Sequence, residues 1–283
     1  MIKIKMFMPL LYILKICIII LKIGKLSMNK SKLYFIKLIN GILKFFGIKI
    51  STYKRSFDEI LITLIEDEEP ILFDVGANKG QTIDRFQKYF RNSQIHSFEP
   101  LPNLYEMLNT KYKDNLSKIF INGFALGDVK NENEFYLNNI GNYGALSSFY
   151  QLDEKSKFFQ NYKKINNKFN KSFNSNEKIT VKIDTLDNYV EEQKINKIDL
   201  LKIDTQGYEK NVLLGSLKTI KSKKIKHIEV EFIVNDSYSK DNSFYLVDEI
   251  LINCGYKLIA LSDFGNTIDL PNLNIDLLYK LEE

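Results

Sequence analysis

Cysteine is scarce in this 283-residue chain: Cys17 and Cys254 are the only two, too few for a disulfide framework. Histidine is equally scarce, at His96 and His227, and no Cys/His cluster has metal-ligand spacing. No metal is expected, and the alternative of a divalent ion on Asp204 and Glu209 lacks a third ligand at a convincing spacing. The thin cysteine usage points to a reducing compartment, read as the cytoplasm. A membrane-length apolar run is missing too. The nearest candidate, Met6–Leu21, is 16 residues long and broken by Lys15, against the about 20 that span a bilayer. No Ala-x-Ala-like cleavage site follows it. Flanked by Lys3, Lys5, Lys22 and Lys25, this leader, residues 1–27, is open to three readings. It is a segment that associates with the anionic inner face of a membrane, an upstream extension before a start at Met28, or a core-packing helix.

Acidic residues are absent from the first 56 positions. Eleven lysines and Arg55 give that stretch +12, and taking this from the chain's +5 leaves −7 on the other 227 residues. The domain that follows is therefore mildly acidic, without the basic patch interleaved with aromatics that a nucleic acid would need, and no nucleic-acid partner is expected. With 45% hydrophobic and 27% charged residues the composition is globular, and the length suits one large α/β domain.

What the chain does have is FDVGANKG at Phe73–Gly80. Pro70–Phe73 reads as a short buried strand closed by Asp74 and Val75, Gly76-Ala77-Asn78-Lys79-Gly80 as a turn, and Gln81–Phe90 as a helix. Such a βα unit can cradle a nucleotide, because glycine permits positive φ and the helix start offers unpaired amides. The spacing excludes two common ligands. A phosphate loop needs Gly-x-x-x-x-Gly-Lys-Ser/Thr, and Gly76 to Gly80 is one residue short. A dinucleotide turn needs a third glycine where Asn78 stands. Asp74 would repel pyrophosphate and favour a ligand with an ammonium group. Glu99 closes a second strand, Gln94–Phe98, and suits both hydroxyls of a ribose.

FDVGANKG, HSFEP (His96–Pro100), NGFALGD (Asn122–Asp128) and DLLKIDTQGYEKNVLLG (Asp199–Gly215) occur in this order. Together they resemble the FkbM family of S-adenosylmethionine-dependent methyltransferases over roughly Pro70 to Phe232. The resemblance implies an α/β, Rossmann-like class I methyltransferase fold: a seven-stranded mixed sheet with helices on both faces. It also implies S-adenosyl-L-methionine as cofactor, and an acceptor that is a small molecule or glycan, methylated on a sugar hydroxyl. Cofactor-binding candidates are Asp74, Gly76, Ala77, Asn78, Gly80, Glu99 and Pro100, with Ala125 and Leu126 assigned to the adenine ring by the family. Asp128 is open to two readings, an adenine-amine acceptor or a turn.

Further along, Leu104–Asn115 reads as a helix, Lys118–Asn122 and Glu134–Leu137 as strands, and Asn138–Ser148 as a loop. The insertion within 145–178 lacks glycine and proline from Gln151 onward and carries five spaced aromatics; it is expected to be a substrate lid, against the alternative of a solvated loop. Ile179–Ile183 and Leu200–Ile203 read as strands, the second ending at Asp204 on the rim of Asp74 and Glu99. In His227–Ile233, Glu229 and Glu231 share one face. Candidate bases for a hydroxyl acceptor are Asp204, Glu209 and Glu229, in that order. His96, inside its strand, reads as a packed histidine. The last strands are Tyr256–Leu261 and Asp276–Leu281, pairing antiparallel. The expected organisation is a leader at 1–27, a helical cap at 28–69 and a methyltransferase domain at 70–283, with the oligomeric state left open. Two other functions compete: a non-catalytic domain that binds the nucleoside cofactor as scaffold or sensor, and a short-chain dehydrogenase. The second is disfavoured by the missing glycine and by the absence of a lysine four residues after Tyr105.

Overall fold

In a computed structural model of the chain, residues 57–115, 118–137, 147–156, 160, 177–233, 244–262 and 274–282 are described. They lie in one compact unit, Arg55–Asp263 with Pro271–Glu283. The leader, residues 28–56 of the expected helical cap and most of the expected lid fall outside the described residues.

Seven strands form the main sheet: β1 (Ile71–Val75), β2 (Gln94–Phe98), β3 (Ile119–Asn122), β7 (Ile198–Ile203), β8 (Ile225–Ile233), β9 (Tyr256–Leu261) and β10 (Asn274–Leu281). Their order is β3-β2-β1-β7-β8-β10-β9, and β10 alone runs antiparallel. The last strand thus pairs with β9 as the sequence suggested, and also with β8, between which and β9 it inserts. A sheet this largely parallel is covered on both faces, which is why β7 reads IDLLKI and is buried along its whole length.

On one face lie α1 (Phe57–Leu64), α2 (Gln81–Tyr89) and α3 (Pro102–Lys111). Leu61, Ile83, Phe86 and Leu108 from these helices bury against Leu72, Leu200 and Leu278 of the sheet. Helix α3 starts earlier than the leucine pattern implied, because Pro102 at its first position needs no N–H partner, and it ends in a 3-10 turn, Lys113–Asn115. On the opposite face α4 (Leu186–Glu192), capped by Thr185 Oγ1 accepting from Asn188 N at 3.1 Å, brings Tyr189 onto Phe73 and Phe98. His96 belongs to this aromatic layer. It stacks on Phe73 at 4.8 Å, its Nδ1 lies 2.7 Å from Tyr189 Oη, and burial lowers its pKa to about 4, so the ring is neutral.

A second sheet, in the order β4-β6-β5, comprises β4 (Ala125–Leu126), β5 (Asn131–Leu137) and β6 (Glu177–Asp184). Parts of β5 and β6 were legible singly, but β4 and the assembly of the three were not, because β5 and β6 pair across a long insertion. The remaining helices among the described residues are α5 (Glu209–Leu214), α6 (Leu217–Lys221) and α7 (Phe244–Asn253). Among the described residues no helix is long and apolar enough to cross a membrane. Strand order reverses between β1 and β7, so a crevice opens beyond their carboxyl ends, where α/β sheets receive ligands.

Candidate active site

The ends of β1, β2 and β7 are tied together by the main chain. Gly76 N and Ala77 N both donate to the Phe98 carbonyl at 3.0 Å, and Asp204 N donates to the Val75 carbonyl at 2.9 Å. This closeness demands glycine at position 76. Its φ is +93°, and a Cβ there would stand 2.0 Å from the Asp204 carbonyl oxygen. Gly80 caps α2 at φ +81°, where a Cβ would meet Tyr112 Oη at 2.4 Å; its constraint is packing against α3, and it does not line the cavity.

Beyond these strand ends lies a cavity of about 300 Å³. Gly76, Ala77, Asn78, Glu99, Pro100, Ala125, Leu126 and Asp204 line it, so eight of the twelve residues singled out in the sequence meet there. Glu99 is only 5% exposed, and its carboxylate is held by two main-chain amides: Asn78 N donates to Oε2 at 2.8 Å and Leu101 N to Oε1 at 3.0 Å. Each oxygen keeps a second lone pair. Burial outweighs the two amides and pushes the Glu99 carboxyl up to about 7. Asn78, at φ 49°, has a buried Oδ1 with no partner among the described residues.

Across the cavity, the Asp204 side chain is 28% exposed. Lys202 Nζ donates to its Oδ2 at 3.0 Å and Gln206 Nε2 to its Oδ1 at 3.0 Å. Burial opposes ionisation of Asp204, but Lys202 and these hydrogen bonds overcome it and hold the carboxyl below its ordinary value.

Four of the twelve residues lie elsewhere, Gly80 among them. Asp74 is fully buried beneath the turn, flanked in register by Ser97 and Lys202, and neither carboxylate oxygen has a hydrogen-bond partner among the described residues. Burial raises it to about 6. Glu209, expected to face the reacting group, is turned inward instead. Its Oε1 accepts from Thr205 N, Thr205 Oγ1 and Gly207 N at 3.0, 3.1 and 3.0 Å and so fixes the turn after β7. Glu229, expected to reach the rim, is 0% exposed and clamped by Arg85 of α2, whose Nη2 lies 2.7 Å from Oε2 and whose Nη1 lies 3.0 Å from Oε1. A carboxylate in a buried sheet face needs such a partner, and Arg85 provides it before the rim is reached.

The cavity also uses residues that local reading passed over. Gln81 and Thr82 come from the first turn of α2, a signal the glycine turn did carry. Phe135, Phe149 and Tyr208 form an aromatic wall in which Phe149 lies 4.8 Å from Phe135 and 4.4 Å from Tyr208. That wall depends on the small sheet meeting the turn after β7, which no local pattern encodes. Gln206 stood inside a quoted motif without a role.

Comparison with known proteins bears on what this arrangement does. The methyltransferase FkbM domain family matches residues 74–258, more than half of the chain. A 2-O-methyltransferase, NoeI of Sinorhizobium fredii, is 23% identical over 178 residues, which cover 62% of this chain and 68% of that protein. Among solved structures, a fibrillarin pre-rRNA processing protein of Methanococcus jannaschii is 15% identical. It covers 76% of this chain and 68% of its own, with a TM-score of 0.40. The METTL16 methyltransferase domain is 12% identical and covers 88% of this chain and 79% of its own at 0.45. Both likenesses are too distant to bear on the site. The strand order, the glycine turn beside Glu99 and the family match over residues 74–258 converge: the chain belongs to the FkbM family of S-adenosylmethionine-dependent methyltransferases.

Proposed function

We propose that this protein methylates a hydroxyl group of a sugar, in a bacterial surface glycan or related metabolite, with S-adenosylmethionine held in the cavity beyond β1, β2 and β7. The observation that carries the reading is Glu99: a buried carboxylate that lines the cavity and is fixed by two main-chain amides, one on each oxygen, which leave each oxygen able to accept again. That pair of acceptors suits the paired hydroxyls of a ribose. The unpartnered Asn78 Oδ1 beside it and the steric demand for glycine at position 76 also fit a ligand lying close to the turn. Ala125, Leu126 and Phe149 offer an apolar slot for the adenine ring. Asp74, below the turn, contributes negative potential without touching the cavity.

When bound, the cofactor would supply a sulfonium methyl group, whose carbon a hydroxyl oxygen attacks in line, with the sulfur leaving as a thioether. The chain's part is to orient the acceptor and take its proton. Asp204 lines the cavity and is ionised at neutral pH, and it accepts that proton. A carboxylate of low basicity suffices, because the hydroxyl becomes strongly acidic as its oxygen bonds to carbon. The NoeI relative is a 2-O-methyltransferase, which supports an oxygen acceptor. The reaction is assigned to the cytoplasm, with the +12 of the first 56 residues drawing the leader to an anionic membrane face.

Calorimetric titration of S-adenosylhomocysteine, NAD and ATP into the full chain tests the cofactor assignment. Saturable binding of the first ligand only, lost in Glu99→Ala, is expected; binding of NAD or ATP instead overturns it. Transfer of labelled methyl to a panel of methyl glycosides then tests the acceptor class, and a panel with no product while catechols are methylated would exclude sugars.

A further inference from the structure

Gln206 combines three features that the reaction described above leaves unused. Its backbone is left-handed, at φ 53°, a region that a non-glycine residue keeps only when its surroundings enforce it. Ser148 enforces it, with Oγ donating to the Gln206 carbonyl at 2.7 Å. The side chain then lies in the cavity wall, and Nε2 donates one hydrogen to Asp204 Oδ1 at 3.0 Å and the other to Glu231 Oε2 at 2.8 Å. With Lys202 Nζ on Oδ2, both Asp204 oxygens are fixed. Resting on the reading of Asp204 as proton acceptor, we infer that Gln206 is a positioning residue whose carboxamide ties Asp204 to Glu231 and keeps Asp204 ionised and in place for the acceptor hydroxyl.

The charge balance around Asp204 shows why such a tie is needed. Facing this layer are Asp74 from β1, Lys202 from β7, Glu229 and Glu231 from β8, Asp276 from β10 and Arg85 from α2. With Asp204 that is five carboxyls against two cations in a buried layer, so the proton must reside on particular members. Burial and the charge of Asp204 push Glu231 well up while Asp204 is held down, so of the two Glu231 takes a proton the more readily. In the transfer, the acceptor oxygen bonds to the methyl carbon, the C–S pair stays on sulfur, the O–H pair stays on oxygen, and the proton passes to Asp204.

The test is 13C-carboxyl NMR titration of Asp204 and Glu231 in the cofactor-free protein, for the wild type, Gln206→Met and Gln206→Asn. Methionine matches the length without donating, and asparagine tolerates the left-handed backbone without reaching. In both variants the Asp204 midpoint should rise by about one pH unit, since a hydrogen bond to its charged form is lost. Unchanged midpoints in a folded variant overturn the inference, and asparagine carries the test if the methionine variant does not fold. Failure of the wild type to bind S-adenosylhomocysteine would overturn the cofactor reading instead, so the two failures are distinguishable.

Discussion

Two buried glutamates, Glu99 beyond β2 and Glu229 in β8, take opposite routes to the same problem. Each removes a carboxylate from water. Glu99 is held by two main-chain amides, one per oxygen, and stays open to a cavity on its other side. Glu229 is gripped by one guanidinium, reinforced where Arg85 Nε lies 3.8 Å from Asp58, and has no open side. Main-chain amides are fixed by the fold and leave lone pairs for a ligand; a forked side-chain partner neutralises the charge and closes the site. The first arrangement makes a binding group, the second a strut between α2 and the sheet.

The largest effect should come from breaking the strut. Arg85→Met leaves Glu229 buried without its partner and should lower stability by about 3–5 kcal/mol in denaturant unfolding. Adding Glu229→Met should restore most of the loss, because an apolar pair of similar volume replaces the ion pair. A double variant as unstable as the single one would contradict the strut reading.

Gly76→Ala acts between the two regions, since its Cβ would collide with the Asp204 carbonyl. It should destabilise by about 2–3 kcal/mol through backbone strain and displacement, with S-adenosylhomocysteine binding undetectable by calorimetry. Glu99→Gln presents an NH2 group to one of two amide donors and should cost about 1–2 kcal/mol of stability. Ligand affinity should fall by about tenfold or more, whereas Glu229→Gln should leave affinity near the wild-type value.

The pH dependence separates the glutamates without disturbing the fold. Glu99 titrates near 7 when folded, above its ordinary 4.5, because of burial. The folded state therefore binds that proton more tightly than the unfolded chain. Its stabilising contribution is full below pH 4.5 and is lost as pH rises toward 7. Asp74 adds the same sign between 3.8 and about 6. Denaturation midpoints should drift down across this range, less so in Glu99→Gln. Ribose hydroxyls favour the ionised form, so ligand binding near pH 6.5 should release a proton. Calorimetric heats should differ between phosphate and Tris buffers for the wild type and agree for Glu99→Gln.

The glycine turn, the strand ending at Glu99 and the buried strand leading to Asp204 could be read from local pattern alone. A short apolar run, a glycine where φ turns positive and a helix start are properties of neighbouring residues. Local pattern also put Glu229 and Glu231 on one face of one strand, and there its reach ended. Whether each carboxylate meets the cavity depends on Arg85, 144 residues from Glu229, and on Gln206, 25 residues from Glu231. The aromatic wall of Phe135, Phe149 and Tyr208 likewise exists only once the small sheet docks on the turn after β7. The sequence by itself determined the family, the cofactor turn and which strands carry acids. The tertiary structure decided which acids face the cavity, because helix packing and strand register bring together partners distant in the chain.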